Sequence, residues 1–179
     1  MHGIIHSELK RYVTSKLGDE GWQSLLDESK IGRRAYLSTE YYPDDEIIAL
    51  VSTASRLTGT PAGALLEDFG EFIAPTLVTV YKPFIKTEWR TLDLIEHTEG
   101  TIHKVVRMKN PGATPPYLKA SRPSPTEVII DYGSPRKMCH VAKGIARGLA
   151  AHFDERVEVG ETECMLKGDA RCLIRIRQT

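Results

Sequence analysis

Apolar residues recur at three- and four-residue intervals through the first half of the chain, and alternate only in its last third. Ile4, Ile5, Leu9, Tyr12, Val13 and Leu17 predict an opening helix that Gly18 stops. A shorter segment follows around Trp22, Leu25 and Leu26. Tyr41, Tyr42, Pro43, Asp44 and Asp45 form a turn into the next helix, since proline and aspartate both suit a first helical turn. Its apolar stripe is Ile47, Ile48, Val51, Ala54 and Leu57, and it ends near Gly59. Thr60 then caps a third helix with Pro61 at its first position. Leu65, Leu66, Phe69, Phe72 and Ile73 are its buried face, and Pro75 bends or interrupts the chain beyond them.

Residues 91–108 read as mostly helical through Leu92, Ile95, Ile102, Val105 and Val106, with Gly100 weakening the middle. Residues 110–125 are rich in proline and read as loops and strand ends. Residues 127–132 are the clearest strand. A helix over 137–153 carries Val141, Ile145 and Leu149 on one face. Two strands, near 156–160 and 172–177, flank a turn at Lys167, Gly168 and Asp169. Helices first, then strands with one embedded helix, is the order of an α+β fold rather than a wound parallel sheet. The pattern leaves the hinge between the halves at 60–85 or at 108–115.

Composition narrows the function classes. A chain of 179 residues makes one domain or at most two small ones. Its 41% hydrophobic and 27% charged content is ordinary for a globular protein, and its formal net charge of zero argues against broad nucleic-acid or membrane-surface binding. No apolar run is long enough to span a bilayer, and the N-terminus lacks the basic-then-apolar order of a signal peptide. Three cysteines, an odd and sparse count, fit a reducing cytoplasm better than a disulfide framework.

The candidate chemistry lies in Tyr132, Ser134 and Arg136. Alternate residues of an extended segment face the same way, so a phenol, a hydroxyl and a guanidinium stand in a row and could converge on one acidic ligand. His103, upstream, offers a metal-binding nitrogen. A histidine together with this row points to a cofactor that is both metal and dicarboxylate, which describes haem.

With these residues, the chain resembles the haem-nitric oxide/oxygen binding family (H-NOX, also called HNOB), of the stand-alone bacterial type. The resemblance covers nearly the whole chain. It includes the opening Met1, Gly3, Ile4 and Ile5, the Tyr42-Pro43-Asp44 turn, Gly70 with Glu71, and Ile102 with His103. Pro115, Pro116, the Tyr132/Ser134/Arg136 motif and the run Lys143, Gly144, Ile145, Ala146 complete it. It implies an α+β fold with a helical N-terminal subdomain at about 1–65. A C-terminal subdomain with an antiparallel sheet plus helices, at about 66–179, completes the fold, with the haem between them. It implies haem b (iron protoporphyrin IX) held by His103 on the iron and by Tyr132, Ser134 and Arg136 on the propionates. Pro115 or Pro116 presses on the macrocycle.

The resemblance also places Ile5, Leu9, Ala74, Leu77, Val78, Val141 and Ile145 around the gas. Dioxygen-binding members carry a tyrosine where this chain has His140, Val141 and Ala142, with Val141 expected to face the pocket and His140 to point away. The expectation is a sensor that binds nitric oxide and carbon monoxide but not dioxygen, and that releases His103 when nitric oxide binds, so that the two halves shift. Because the chain ends at Thr179, soon after the final strand, the signal is expected to pass to a separate protein such as a histidine kinase or a cyclic-di-GMP enzyme.

Cys139, Cys164 and Cys172 flank one helix start and one turn, and three thiolates make most of a tetrahedral zinc site. Some H-NOX proteins carry such a site with a histidine where this chain has Glu161. Zinc on Cys139, Cys164, Cys172 and Glu161 therefore stands beside three open alternatives: reduced thiols, a Cys164–Cys172 disulfide, or a fourth ligand from His140 or His152. The competing function is a haem-free zinc or thiol redox-sensing module. An enzyme ranks last, because no nucleophile triad, paired-carboxylate motif, phosphate loop or metalloprotease motif is present.

Overall fold

A computed structural model describes residues 1–32 and 34–179. The chain divides into two units, Met1–Phe69 and Gly70–Thr179. The first unit is helical. α1 (Gly3–Glu28) breaks at Gly18, where the sequence predicts a stop: the backbone leaves helical geometry there, at φ 71° and ψ 179°, and a second helical segment follows. Trp22, Leu25 and Leu26 of that segment are almost wholly enclosed, so it is held by packing rather than by helix propensity. α2 (Asp44–Thr58) buries Ile47 and Leu50 and ends at Gly59 in the left-handed conformation, the residue that meets this backbone at least cost. Tyr12 donates to the Asp68 carboxylate, which also accepts from Lys16 at 2.8 Å.

His6 sits wholly buried in this unit, stacked on Tyr36 with ring centroids 4.6 Å apart and tilted against Tyr42 at 5.1 Å. Among the described residues neither ring nitrogen makes a hydrogen bond of regular geometry. The imidazole therefore serves as an aromatic filler.

α3 (Ala62–Tyr81) runs through Pro75 without ending, and Thr79 donates to the Pro75 carbonyl at 2.9 Å. In the second unit its continuation lies against α6 (Cys139–His152). A Cβ on Gly148 would stand 2.6 Å from the Glu71 carbonyl oxygen, and one on Gly70 2.4 Å from that of Val141. These two glycines let the helix backbones touch. Between them in sequence come α4 (Thr91–His97), a single π-turn at Glu99–His103 and α5 (Lys104–Lys109).

Four strands form one antiparallel sheet in the order β1-β2-β4-β3: β1 (Tyr117–Ser124), β2 (Glu127–Gly133), β3 (Val157–Glu163) and β4 (Cys172–Gln178). β1 occupies the proline-rich stretch read from sequence as loops and strand ends. Register sets the core. Val128 opposes Ile176, Ile130 opposes Ile174 and Tyr132 opposes Cys172, and all six are buried on one face with Leu92, Ile95, Ala146 and Leu149 from the helices. Arg122 of β1 clamps α4 by donating to Asp93 at 2.6 Å and Glu96 at 3.1 Å.

Burial pushes the His6 imidazole down from 6.5 to about 4, the N-terminal charge acting in the same sense. The unfolded chain therefore binds its proton first as pH falls. The stability linked to His6 is complete above pH 6.5 and is lost towards pH 4, by up to about 3 kcal/mol. His6→Phe, which keeps the stack, is expected to flatten this loss in thermal melts run from pH 7.5 to pH 4.5. Equal slopes for both proteins would show that His6 is not the titrating group.

Candidate functional site

His103 ends the π-turn. Its backbone N–H donates to the Thr98 carbonyl at 3.0 Å, a five-residue reach. The local sequence favours that slack. Gly100 has no side chain to hold the helix, and the Thr98 and Thr101 hydroxyls bond back to the carbonyls of Leu94 (2.7 Å) and His97 (2.6 Å), an arrangement that bends helices. The His103 side chain is only 13% exposed, and Ile102 packs on the core.

Its Nδ1 lies 2.8 Å from Glu99 Oε2. The other oxygen of Glu99 accepts from Arg107 at 2.6 Å. Burial lowers the His103 pKa, and the Glu99 carboxylate offsets this only in part, so the ring is neutral at pH 7. Partial burial acts to raise the Glu99 carboxyl, but the hydrogen bonds from His103 and Arg107 outweigh it and hold it below its ordinary value. A neutral ring whose Nδ1–H donates to a carboxylate has a bare Nε2 lone pair, the form that binds a metal. His97, the nearest other histidine in sequence, is exposed and rests its ring edge-on against Trp89.

Tyr132, Ser134 and Arg136 do not form the straight row expected of a strand. Only Tyr132 is in regular β2. Ser134 opens a tight turn in which Lys137 N donates to the Ser134 carbonyl at 3.0 Å, and Lys137 adopts φ 51°. The trio still converges. The Ser134 hydroxyl bonds to the Tyr132 oxygen and also accepts from Arg136 N at 3.3 Å. Burial raises the Tyr132 phenol to about 12, so it remains a donor at neutral pH. The Arg136 guanidinium donates to Thr114, at 2.6 Å to its carbonyl and 3.4 Å to its hydroxyl, which ties the motif to the loop holding Pro115 and Pro116. Val141 and Ile145 lie half-buried on α6. In the first unit Leu9 is buried and Ile5 half-buried on α1.

The structure brings Cys139, Cys164, Cys172 and Glu161 together, with one ligand atom from each lying within 4.8 Å of the others. Cys164 Sγ is 3.9 Å from both Cys139 Sγ and Cys172 Sγ, so the thiols touch without a bond. Met165 N donates to Cys172 Sγ at 3.3 Å, and Asp169 accepts from Cys164 N at 2.7 Å, which fixes the turn. Glu161 lends one oxygen to the buried Lys143 at 3.7 Å, and its other oxygen is buried without a hydrogen-bond partner among the described residues. Neither His140 nor His152 joins this group among the described residues.

Sequence reasoning missed Glu99, Arg107, Thr114 and Lys143. The first two were legible as carboxylate, imidazole and guanidinium at successive four-residue steps, the spacing that puts side chains on one helical face. Thr114 and Lys143 act through tertiary contacts that no local spacing reveals.

A profile of haem-NO-binding proteins matches residues 2–161. The chain belongs to this family, whose members are haem gas-sensor domains. Solved H-NOX structures share its fold. One from S. oneidensis in the Fe(II)NO ligation state superposes with a TM-score of 0.93 at 23% identity, covering 100% of this chain and 99% of that one. An unliganded Fe(II) H-NOX protein from K. algicida gives 0.86 at 23%, covering 100% and 97%. The soluble guanylate cyclase gcy-35 of Caenorhabditis elegans is 24% identical over 182 residues, which are 96% of this chain and 25% of the cyclase. The chain thus spans about a quarter of that relative. No helix among the described residues is long and apolar enough to cross a membrane.

Enclosure also governs the thiols. Burial, followed by the neighbouring sulfurs, pushes Cys139 up, and burial raises Cys172 despite the Met165 hydrogen bond. In metal-free protein at pH 7.5 all three thiols should react slowly with an aromatic disulfide reagent and rapidly once the chain is denatured. Fast stoichiometric labelling of the native protein would show that the cluster is open.

Proposed function

We propose that this chain is a cytoplasmic haem b gas sensor that binds nitric oxide and carbon monoxide but not dioxygen. It signals to a separate protein, such as a histidine kinase or a cyclic-di-GMP enzyme, and catalyses nothing itself. The observation that carries the reading is the chemical state of His103: neutral, largely enclosed, and bonded at Nδ1 so that Nε2 is left for iron. Tyr132, Ser134 and Arg136 supply two neutral donors and one permanent cation, suited to the propionates. Arg136 now spends its donors on a neutral carbonyl, and a carboxylate is the stronger acceptor. Haem, when bound, would be held by His103 and would supply an iron able to take a diatomic gas. Pro116 lies two residues beyond Thr114, which Arg136 grips, and we assign it a contact with the macrocycle.

Gas choice follows from the α6 side chains. Val141 and Ile145 are apolar and offer no donor to the partly anionic oxygen of a bound dioxygen, whereas nitric oxide and carbon monoxide do not depend on one. Reduced protein is expected to show a haem Soret band that moves when nitric oxide is added and to form no stable dioxygen complex in air. His103→Ala should lose most of its pigment and regain it with added imidazole. Undiminished haem in that variant, with no response to imidazole, defeats the reading.

For Cys139, Cys164, Cys172 and Glu161 we propose a zinc ion. Three sulfurs and a carboxylate oxygen make a tetrahedral set, and the unpartnered Glu161 oxygen needs a cation or a donor. Metal analysis is expected to find about one zinc per chain, lost in Cys172→Ser with the haem retained. A colourless protein that still contains zinc would favour the haem-free thiol module instead.

A further inference from the structure

Glu99 is shared. One carboxylate oxygen meets His103 Nδ1 at 2.8 Å and the other meets Arg107 at 2.6 Å, and all three residues lie on one face of the π-turn and the helix that follows it. We propose that Glu99 is the positioning residue that sets how tightly His103 holds its metal, and that Arg107 moderates it. The inference rests on the assignment of His103 as the iron ligand and adds what controls the strength of that bond.

The argument is electrostatic. A carboxylate accepting the Nδ1 proton pulls it towards oxygen and pushes electron density to Nε2, which makes Nε2 a stronger donor. It also fixes the tautomer and the ring angle, so the lone pair has one direction. A charged acceptor does this more strongly than a neutral one. Arg107 draws on the same carboxylate from the other side and weakens its pull on the imidazole. Glu99 is 34% exposed and Arg107 44% exposed, so this balance is struck near solvent, while His103 itself is enclosed. The four-residue spacing sets Glu99 and His103 on one face, and a Cβ at Gly100 would meet nothing within 4 Å, so that position does not shape the contact.

Opposite signs for the two partners distinguish this role from a merely structural one. Two variants of the full chain loaded with haem, Glu99→Gln and Arg107→Met, are compared with wild type by resonance Raman spectroscopy of the ferrous protein. In Glu99→Gln the iron–histidine stretch should fall, and histidine release after nitric oxide mixing should accelerate roughly 10- to 100-fold. In Arg107→Met the stretch should rise and release should slow. Haem-free protein gives an independent reading. The ¹⁵N shifts of the His103 ring should report a single Nδ1–H tautomer in wild type and a mixture in Glu99→Gln. Unchanged stretches, or shifts of the same sign in both variants, would overturn the role of Glu99. If His103→Ala retains its pigment and its iron–histidine band, the ligand assignment itself has failed, which is a separate result.

Discussion

The register between β2 and β4 is the constraint on which the second unit depends. A sheet side-chain repeat of two means that sliding one strand by a single residue would exchange the buried and exposed faces. The register is held by Val128, Ile130 and Tyr132 against Ile176, Ile174 and Cys172, six buried side chains in one layer. That layer does more than exclude water. Its last pair sets the phenol of the Tyr132 motif opposite a thiol of the cysteine cluster, so one hydrophobic register positions both polar groups. The glycine contact between α3 and α6 is the complement, since α6 carries Cys139, Lys143, Val141 and Ile145 and must approach closely to deliver them.

Much of this was written in the sequence where a residue type and its local geometry agree. Gly59 marks a helix end because its left-handed backbone is needed there, and residues 127–132 alternate as a half-buried strand must. β1 was obscured by Lys119, Arg122 and Pro123, polar or ring residues tolerable on an edge strand whose outer face meets solvent. Gly18 reads as a stop and the backbone does leave helical geometry there, while burial of Trp22 and Leu26 holds the segment beyond it. The turn at Ser134 was missed because an extended strand and a strand with a turn give the same residue string. The hydrogen bond from Lys137 to Ser134 separates them.

The π-turn was the least legible element, and it carries the proposed iron ligand. A helix pattern cannot distinguish a four-residue from a five-residue hydrogen bond. Only the combination of Gly100 with two back-bonding threonines hints at it. Such turns cost helix geometry, so their persistence needs a compensating contact. Here the Glu99 carboxylate, held from both sides by His103 and Arg107, closes the loop and converts a weak point of the helix into a defined imidazole direction.

The two polar groups of this unit share one electrostatic design. Glu99 gives one oxygen to Arg107 and the other to the ring of His103; Glu161 gives one oxygen to Lys143 and leaves the other beside three sulfurs. In each case a cation stabilises the carboxylate, while the remaining oxygen faces the group proposed to meet metal. The difference lies in what that oxygen does. At Glu99 it accepts a hydrogen bond from the imidazole, so the influence on iron that we propose for it is indirect and graded. At Glu161 no donor among the described residues reaches it, and a cation is the partner we propose. A neutral residue in place of either carboxylate would remove one counter-charge from its basic partner, Arg107 or Lys143. For Lys143 that loss is the more costly, because an ion pair weakened around an enclosed ammonium costs more than one weakened around a guanidinium near solvent.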